Sequence, residues 1–417
     1  MGDITFATDP WIHGSAFCNG WWLAKSSPTD AFDILNKCDF IYISHNHPDH
    51  LHPESLQRIR KDMPILTAKF QSGSTKEYLH KFGFMNVVAM DFVSSLVDSE
   101  KEIHLSVLKS GDFREDSGLF LQHGKFKCLL TVDSNFINFG KLPTVDLLCS
   151  SFAGGASGFP LCFENYSEEA KKVVVTRNRG AIKATNISTI KITEPSFFMP
   201  YAGFFTEAAK RDSYIKQRNN KNSVEDFESI CASNGSSLLN VNKEQIFVFE
   251  GSQLVSRRQD ETEKMDSSSF GVITKFDTDE VDNQLNDVVI EYFEGCDFKD
   301  DLLVDLRPTS DDFKSANIGF RLDFSLKEFS KFDCDSLIES VADEAANRGL
   351  RYLQIKVRSA ELLDVLLNGK PWEDLLIGFQ CRIYRTPNIY NSEFWFYFTN
   401  VYIGNSVVRS APITINE

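Results

Sequence analysis

The sequence predicts an α+β fold: two sheets packed face to face, flanked by helices, followed by a second, smaller α+β domain. Three observations predict it. Between residues 4 and 90, short apolar runs of strand length alternate with stretches of helical period. Between 103 and 149, strands follow one another directly, with His123-Gly124 as a hairpin turn. The charged, serine-rich stretch 256–269 has little apolar pattern and reads as a linker. A domain over 1–255 is therefore expected to carry the chemistry. The domain over 270–417 is expected to cover its pocket or to form a homodimer surface.

In order along the chain, Ile4 to Thr8 reads as a strand ending in Asp9-Pro10-Trp11, where proline stops the ladder and leaves a carboxylate at the strand end. The aromatic stretch around Trp21 and Trp22 is either a lip over a pocket or a loop packed on the sheet. Asp30 to Lys37 reads as a short helix, and Phe40 to Ile43 as a buried strand. Pro53 opens a helix, since proline suits the first helical turn, and His52 before it is read as a cap rather than a site residue. Strands are expected over 64–70, 86–90, 103–108, 119–122, 125–132 and 145–149. Helices are expected over 74–82 and 166–182, and a polar helix from Glu207. The 150–160 loop, with Ser157, has glycines and serines that allow close backbone approach to a phosphate. Beyond the linker, strands are expected at 319–324 and 352–357, and helices at 334–348 and 359–367.

Composition narrows the function classes. The 417 residues carry 44 Lys and Arg against 59 Asp and Glu, a net charge of −15. So acidic a chain is a poor binder of nucleic acid or of anionic membranes. Nine scattered cysteines, none in a C-x-x-C pair, read as reduced thiols. Met1 to Phe6 shows no basic region followed by an apolar one, and no apolar run approaches membrane-spanning length. The cytoplasm is the expected compartment.

The chemistry centres on Ser44-His45-Asn46-His47-Pro48-Asp49-His50. Four of the eight histidines fall between positions 45 and 52, which makes a chance cluster a poor account. His45 and His47, alternate residues of an extended chain, point the same way, and Asp49 and His50 turn back towards a second position. Imidazole with carboxylate suits zinc or iron better than magnesium or calcium. Asp133, like Asp9, lies at a strand end.

His-x-His-x-Asp-His, with a carboxylate after a later strand, resembles the metallo-β-lactamase-fold superfamily, which implies an αββα sandwich. Asp9-Pro10-Trp11, Gly20 to Leu23, Ile41 to His45, Thr131 to Asp133, Ser151 to Pro160 and Pro200 to Phe205 resemble the CMP-N-acetylneuraminate hydroxylases. So do Trp372 to Asp374, Ile377 to Gln380, Asn388 to Tyr390 and Phe394-Trp395. Members of that family hydroxylate a sugar nucleotide with iron and O2, receiving electrons through a Rieske centre. The resemblance implies that His45, His47 and Asp112 hold one iron and Asp49 and His50 another. Asp133 would lie between them, with Asp49 and Asp133 at the centre of the chemistry. Glu115 and Asp116 rival Asp112, where the superfamily usually has a histidine.

A carboxylate there favours iron or manganese over zinc. No histidine follows His123, so the superfamily's last histidine ligand has no counterpart. No cysteine lies two residues before a histidine, so no Rieske centre is expected. A separate ferredoxin or reductase would then supply electrons. Trp21, Trp22, Arg114, Ser157 and Tyr201 are the candidate contacts to an anionic small-molecule substrate. The alternative is a hydrolase of an ester, thioester or phosphodiester, whose metal lowers the pKa of water to about 7.

Overall fold

The structure is a computed structural model that describes residues 2–402 apart from 99, 101, 274–277, 315, 317, 333 and 335–337. A four-stranded parallel sheet runs in the order Phe6–Thr8, Phe40–Ile43, Ile65–Ala68, Val87–Met90. A seven-stranded mixed sheet faces it, in the order Ser237–Leu238, Phe197–Pro200, Leu147–Ser150, Phe126–Leu130, Ser117–His123, Ile103–Lys109, Ser95–Asp98.

Strand alternation builds the layers. Tyr42 and Leu66 point between the sheets, where they meet Leu105, Val107, Leu119, Leu121 and Leu130. Ile41, Ile43 and Ile65 point outward onto Phe32 and Leu35 of the helix Ala31–Asn36, Leu56 of Pro53–Gln57, and Tyr78 and Leu79 of Ser74–Lys81. On the other outer face, Phe120, Leu129 and Leu148 pack with Val175 and Ile190 of the helix Glu168–Thr193. Helix, sheet, sheet, helix is the αββα sandwich.

In the second half, five strands run in the order Glu328–Phe332, Gly319–Asp323, Leu302–Thr309, Arg351–Arg358, Cys381–Thr386, with the third and fourth parallel. Every residue of the central strand Leu302–Thr309 is buried. Its Asp305 is compensated by Arg321 at 3.0 Å and by the Tyr352 hydroxyl at 3.1 Å. The two halves share one core: Phe17, Trp21, Leu129 and Phe198 belong to the same cluster as Val304, Ile355, Trp372 and Phe398. Gly20 is pressed against the backbone of Gly378, where a Cβ would find no room.

Several expectations about elements are corrected. Ser256 to Arg258, expected as linker, complete a strand Gln253–Arg258 paired with Ile246–Glu250. The helix expected over 166–182 continues to Thr193, with Val175 and Ile190 held in the core. Glu207 opens no helix: its carboxylate is buried on Lys221 and Asn219, and the local helix is Ser213–Arg218. The helix expected from Cys334 is seen from Ile338 to Asn347, and 335–337 lie outside the described residues. Among the described residues no helix is long and apolar enough to cross a membrane.

Candidate metal centre

The site lies at one edge of the sandwich, where the chain leaves several strands. Asp9 follows Phe6–Thr8, the histidine loop follows Phe40–Ile43, and Asp133 follows Phe126–Leu130. Asp116 precedes Ser117–His123, which runs antiparallel to its neighbours and so starts at the same edge. Tyr42 hydrogen-bonds Ser117 at 2.7 Å, and Ser117 Oγ donates to the Ser44 carbonyl at 2.6 Å, tying the two sheets together beneath the site.

Each cluster histidine has one ring nitrogen turned to a polar neighbour and the other turned inward. His45 Nδ1 is 2.9 Å from Ser44 Oγ, His50 Nδ1 is 3.0 Å from Asp9 Oδ2, and His47 Nε2 is 3.6 Å from Glu373 Oε2. Asp9 is itself fixed by Ser44, whose N–H and hydroxyl each donate to it at 2.8 Å. The inward atoms are His45 Nε2, His47 Nδ1 and His50 Nε2. His45 Nε2 and His47 Nδ1 stand 2.8 Å apart. Two nitrogens about 2.0–2.1 Å from one ion at a right angle would be separated by about 2.9 Å.

With Asp116, these two histidines form one group whose ligand atoms lie within 4.8 Å of one another. His45, His50 and Asp133 form a second such group. His50 Nε2 lies 3.3 Å from Asp49 Oδ2 and 3.4 Å from Asp133 Oδ2 without a hydrogen bond to either, and Asp49 Oδ1 is buried with no partner. Buried polar atoms left unpaired are costly. Here they converge on one point.

The electrostatics agree. Asp9, Asp49, Asp112, Asp116, Asp133 and Glu373 surround three histidines and one guanidinium, Arg114. Burial pushes the Asp116 carboxyl up, against the pull of Arg114. Burial opposes a proton on His50, yet Asp49, Asp9 and Asp133 hold that ring well above its ordinary value. Burial together with His50 and His47 holds His45 well below. Carboxylates this dense and this buried need positive charge. Together with the inward donors and the outward-tied rings, this shows a site that fits a metal cofactor.

The structure brings His45, His47, Asp49, His50 and Asp133 together, but not Asp112. Both oxygens of Asp112 are occupied: Ser110 Oγ and the Arg114 N–H donate to one at 2.9 and 3.1 Å, Arg114 Nε and Asn135 Nδ2 to the other at 2.9 and 3.1 Å. The facing carboxylate is Asp116, 2% exposed, with Oδ1 3.7 Å from His45 Nε2. Its sequence signal was its place, with Asp112 and Glu115, where the superfamily usually has a histidine. Glu373, from the helix Glu373–Ile377, had no such signal and is brought in by tertiary packing. His52 caps the helix Pro53–Gln57, accepting the Ser55 N–H at 3.1 Å, and burial pushes it down to about 4.

The candidate substrate contacts divide. Trp21 is buried and stacked on Phe205 with centroids 3.6 Å apart, and Trp22 is buried with its indole N–H donated to the Asn19 carbonyl. Both are packing residues rather than a lip. Ser157 sits in a 3₁₀ turn, Ala156–Cys162, and its carbonyl accepts from Asn178 at 3.3 Å. Gly155 nearby leaves room for the Phe205 ring rather than for a phosphate. Arg114 lines the pocket, but its guanidinium is engaged by Asp112, Asp116 and the Asp133 carbonyl. Tyr201 has a buried hydroxyl without a partner, in a site where Asp9 and Asp133 add to the effect of burial in holding it protonated. The pocket opening onto His47 is a small cavity of about 20 Å³ lined by residues of both halves, including Arg114, Asp116, Glu373 and Asn400.

No protein-family model matches the chain. It is 33% identical over 421 residues to the cytidine monophosphate-N-acetylneuraminic acid hydroxylase of Danio rerio, covering 95% of this chain and 69% of that one. To the Sus scrofa protein of the same name it is 30% identical over 426 residues, covering 95% and 94%. A solved structure of a mutant CmlA beta-hydroxylase is similar with a TM-score of 0.34 at 18% identity, over 56% of this chain and 48% of that one. That likeness is too slight to bear on the site.

Proposed function

Because the chain belongs to the family of the cytidine monophosphate-N-acetylneuraminic acid hydroxylases, we propose that it is a metal-dependent hydroxylase of a nucleotide sugar or a related anionic small molecule. The observation that carries this reading is the convergence of three inward imidazole nitrogens with Asp49, Asp116 and Asp133. On this reading His45, His47 and Asp116 would hold one iron, and Asp49, His50 and Asp133 would hold a second. A carboxylate-rich set favours iron or manganese over zinc. Iron held there supplies the activation of O2 that hydroxylation of a C–H bond requires.

The chain's own residues position and exclude. Ser44, Asp9 and Glu373 hold the three rings in orientation. Burial keeps water away from His45 and His50, each under 5% exposed. Tyr201 offers a protonated hydroxyl to a bound ligand. The reaction balances as R–H + O2 + two electrons + two protons giving R–OH + H2O, and a separate ferredoxin or reductase is the proposed electron donor.

The test is elemental analysis of protein purified under exclusion of air without added metal, then O2 uptake with CMP-N-acetylneuraminic acid and a chemical reductant. About two irons per chain and a product carrying one added oxygen are expected. Zinc near two per chain with ester hydrolysis would replace this reading by a hydrolase, since the same donors suit that metal. No bound iron and no O2 uptake would overturn it.

A further inference from the structure

Charge is spread unevenly over this acidic chain. Residues 168–221 carry eleven Lys and Arg against five Asp and Glu, whereas the whole chain has a net charge of −15. The structure gathers several of these cations. The helix Glu168–Thr193 lies beside the segment 216–226: Lys171, Lys172, Arg218 and Asn220 line one groove of about 310 Å³, Asn222 Nδ2 donates to the Arg179 carbonyl at 3.2 Å, and Lys183 pairs with Asp226 at 3.3 Å. Lys172, Arg179 and Lys183 recur at the spacing of one helix face. Glu168, at the groove, is neutralised by Lys171 at 3.1 Å and Arg218 at 3.0 Å. Lys172, Arg179 and Lys216 have no carboxylate within 4 Å among the described residues, and Lys172 and Lys216 are exposed.

The helix places this face near the metal centre's edge of the sandwich. It runs antiparallel to the strand Leu147–Ser150: the Val145 N–H, at the strand's start, donates to the Thr193 carbonyl at 3.0 Å, and Ser150, at its end, donates to Asn186 at 2.5 Å. Residues 168–182 therefore project past the edge at which Asp133 lies. A series of buried rings joins the face to the centre. His47 meets Phe17 with ring centroids 5.7 Å apart, Phe17 meets Trp21 at 4.5 Å, and Trp21 stacks on Phe205 at 3.6 Å. The Lys221 ammonium stands 4.3 Å from the centre of the Phe205 ring, within the field of Lys216. Phe17, Trp21 and Phe205 are all buried, so the series is closely packed from end to end. Packed π systems couple redox groups better than saturated contacts or water-filled gaps.

We propose that this basic face docks an acidic one-electron carrier protein, and that Phe205, Trp21 and Phe17 carry its electrons towards the metal held at His47. The proposal rests on the hydroxylase reading above, whose reaction consumes two electrons, one from each of two reduced carriers. Opposite charge on the two surfaces steers their encounter and makes the complex salt-sensitive. Such complexes are small and weak, which suits a carrier that must leave after giving up its electron.

The test titrates an oxidised, acidic plant-type ferredoxin into the metal-free full chain by calorimetry at low and raised salt, beside the double variant Lys172→Glu with Lys216→Glu, with melting temperatures as a fold control. The wild type is expected to bind, less tightly as salt rises, and the double variant to bind roughly tenfold more weakly at low salt. Reduced ferredoxin is then mixed with the iron-loaded chain in a stopped-flow instrument. Trp21→Phe, which keeps a ring in the series, is expected to oxidise the ferredoxin faster than Trp21→Leu, which breaks it, at equal ferredoxin binding. No binding by the wild type, or equal binding by the double variant, overturns the docking face, and equal rates in the two Trp21 variants overturn the route. In each of those cases hydroxylation by the wild type with a chemical reductant leaves the hydroxylase reading standing. If the wild type binds no iron and takes up no O2 with a chemical reductant, that reading fails and the proposal with it.

Discussion

Replacing Glu373 by Gln isolates the part the second half plays in the metal centre. The carboxylate Oε2 lies 3.6 Å from His47 Nε2, and Oε1 accepts the Tyr390 hydroxyl at 3.1 Å. Burial pushes the His47 ring down, and the Glu373 contact and charge raise it above its ordinary value, so the carboxylate supports charge on that ring. Outer partners of ligand histidines typically contribute 10–100-fold in metal affinity. At 3.6 Å the contact is longer than a good hydrogen bond, so the low end applies: about tenfold, or about 1.4 kcal/mol. Gln keeps the size and can still accept from Tyr390, so packing is preserved. The assay is anaerobic competition for Fe2+ against a coloured chelator, with the melting temperature of the metal-free protein as control. Affinity within twofold of wild type would refute the orienting role. A fall in metal-free stability that accounts for the loss would assign Glu373 to packing instead.

Other outcomes follow from the same geometry. Asp116→Asn is expected to lower bound metal, whereas Asp112→Asn keeps it and instead destabilises the 110–116 loop by about 1–3 kcal/mol, read by elemental analysis and urea unfolding. Trp21→Ala should destabilise the fold by about 3–5 kcal/mol, because the ring is buried on Phe205; an altered Kd for substrate at unchanged stability would show it to be a contact residue after all. Burial raises the Asp323 carboxyl, but Ser325, Arg348 and the Leu326 N–H more than offset this and hold it below its ordinary value. Its contribution is therefore present above about pH 4 and lost as pH falls through the lower, folded value. Asp323→Asn should flatten that acid limb of the stability curve, and an unchanged limb would show that the pairing does not stabilise the fold.

The sequence by itself determined the sandwich and the centre of the site. Only packing placed Tyr42 between the sheets and Ile41 and Ile43 outside them, but the apolar run Phe40–Ile43 by itself read as a buried strand leading directly into the histidine loop. Local order was enough there, because strand direction fixes where consecutive side chains point. Spacing could not choose between Asp112 and Asp116, four residues apart on one loop. That depended on which carboxylate Ser110, Arg114 and Asn135 saturated and which was left facing His45. The tryptophans read equally well as lip or core until Phe205, nearly two hundred residues away in the chain, was seen stacked on Trp21. Glu373 and Asn400 belong wholly to tertiary structure: Glu373 meets His47, and Asn400 accepts from Asn46 at 3.1 Å, across more than three hundred residues. Contacts at such separation arise from the packing of the two halves around a common core, and no local periodicity encodes them.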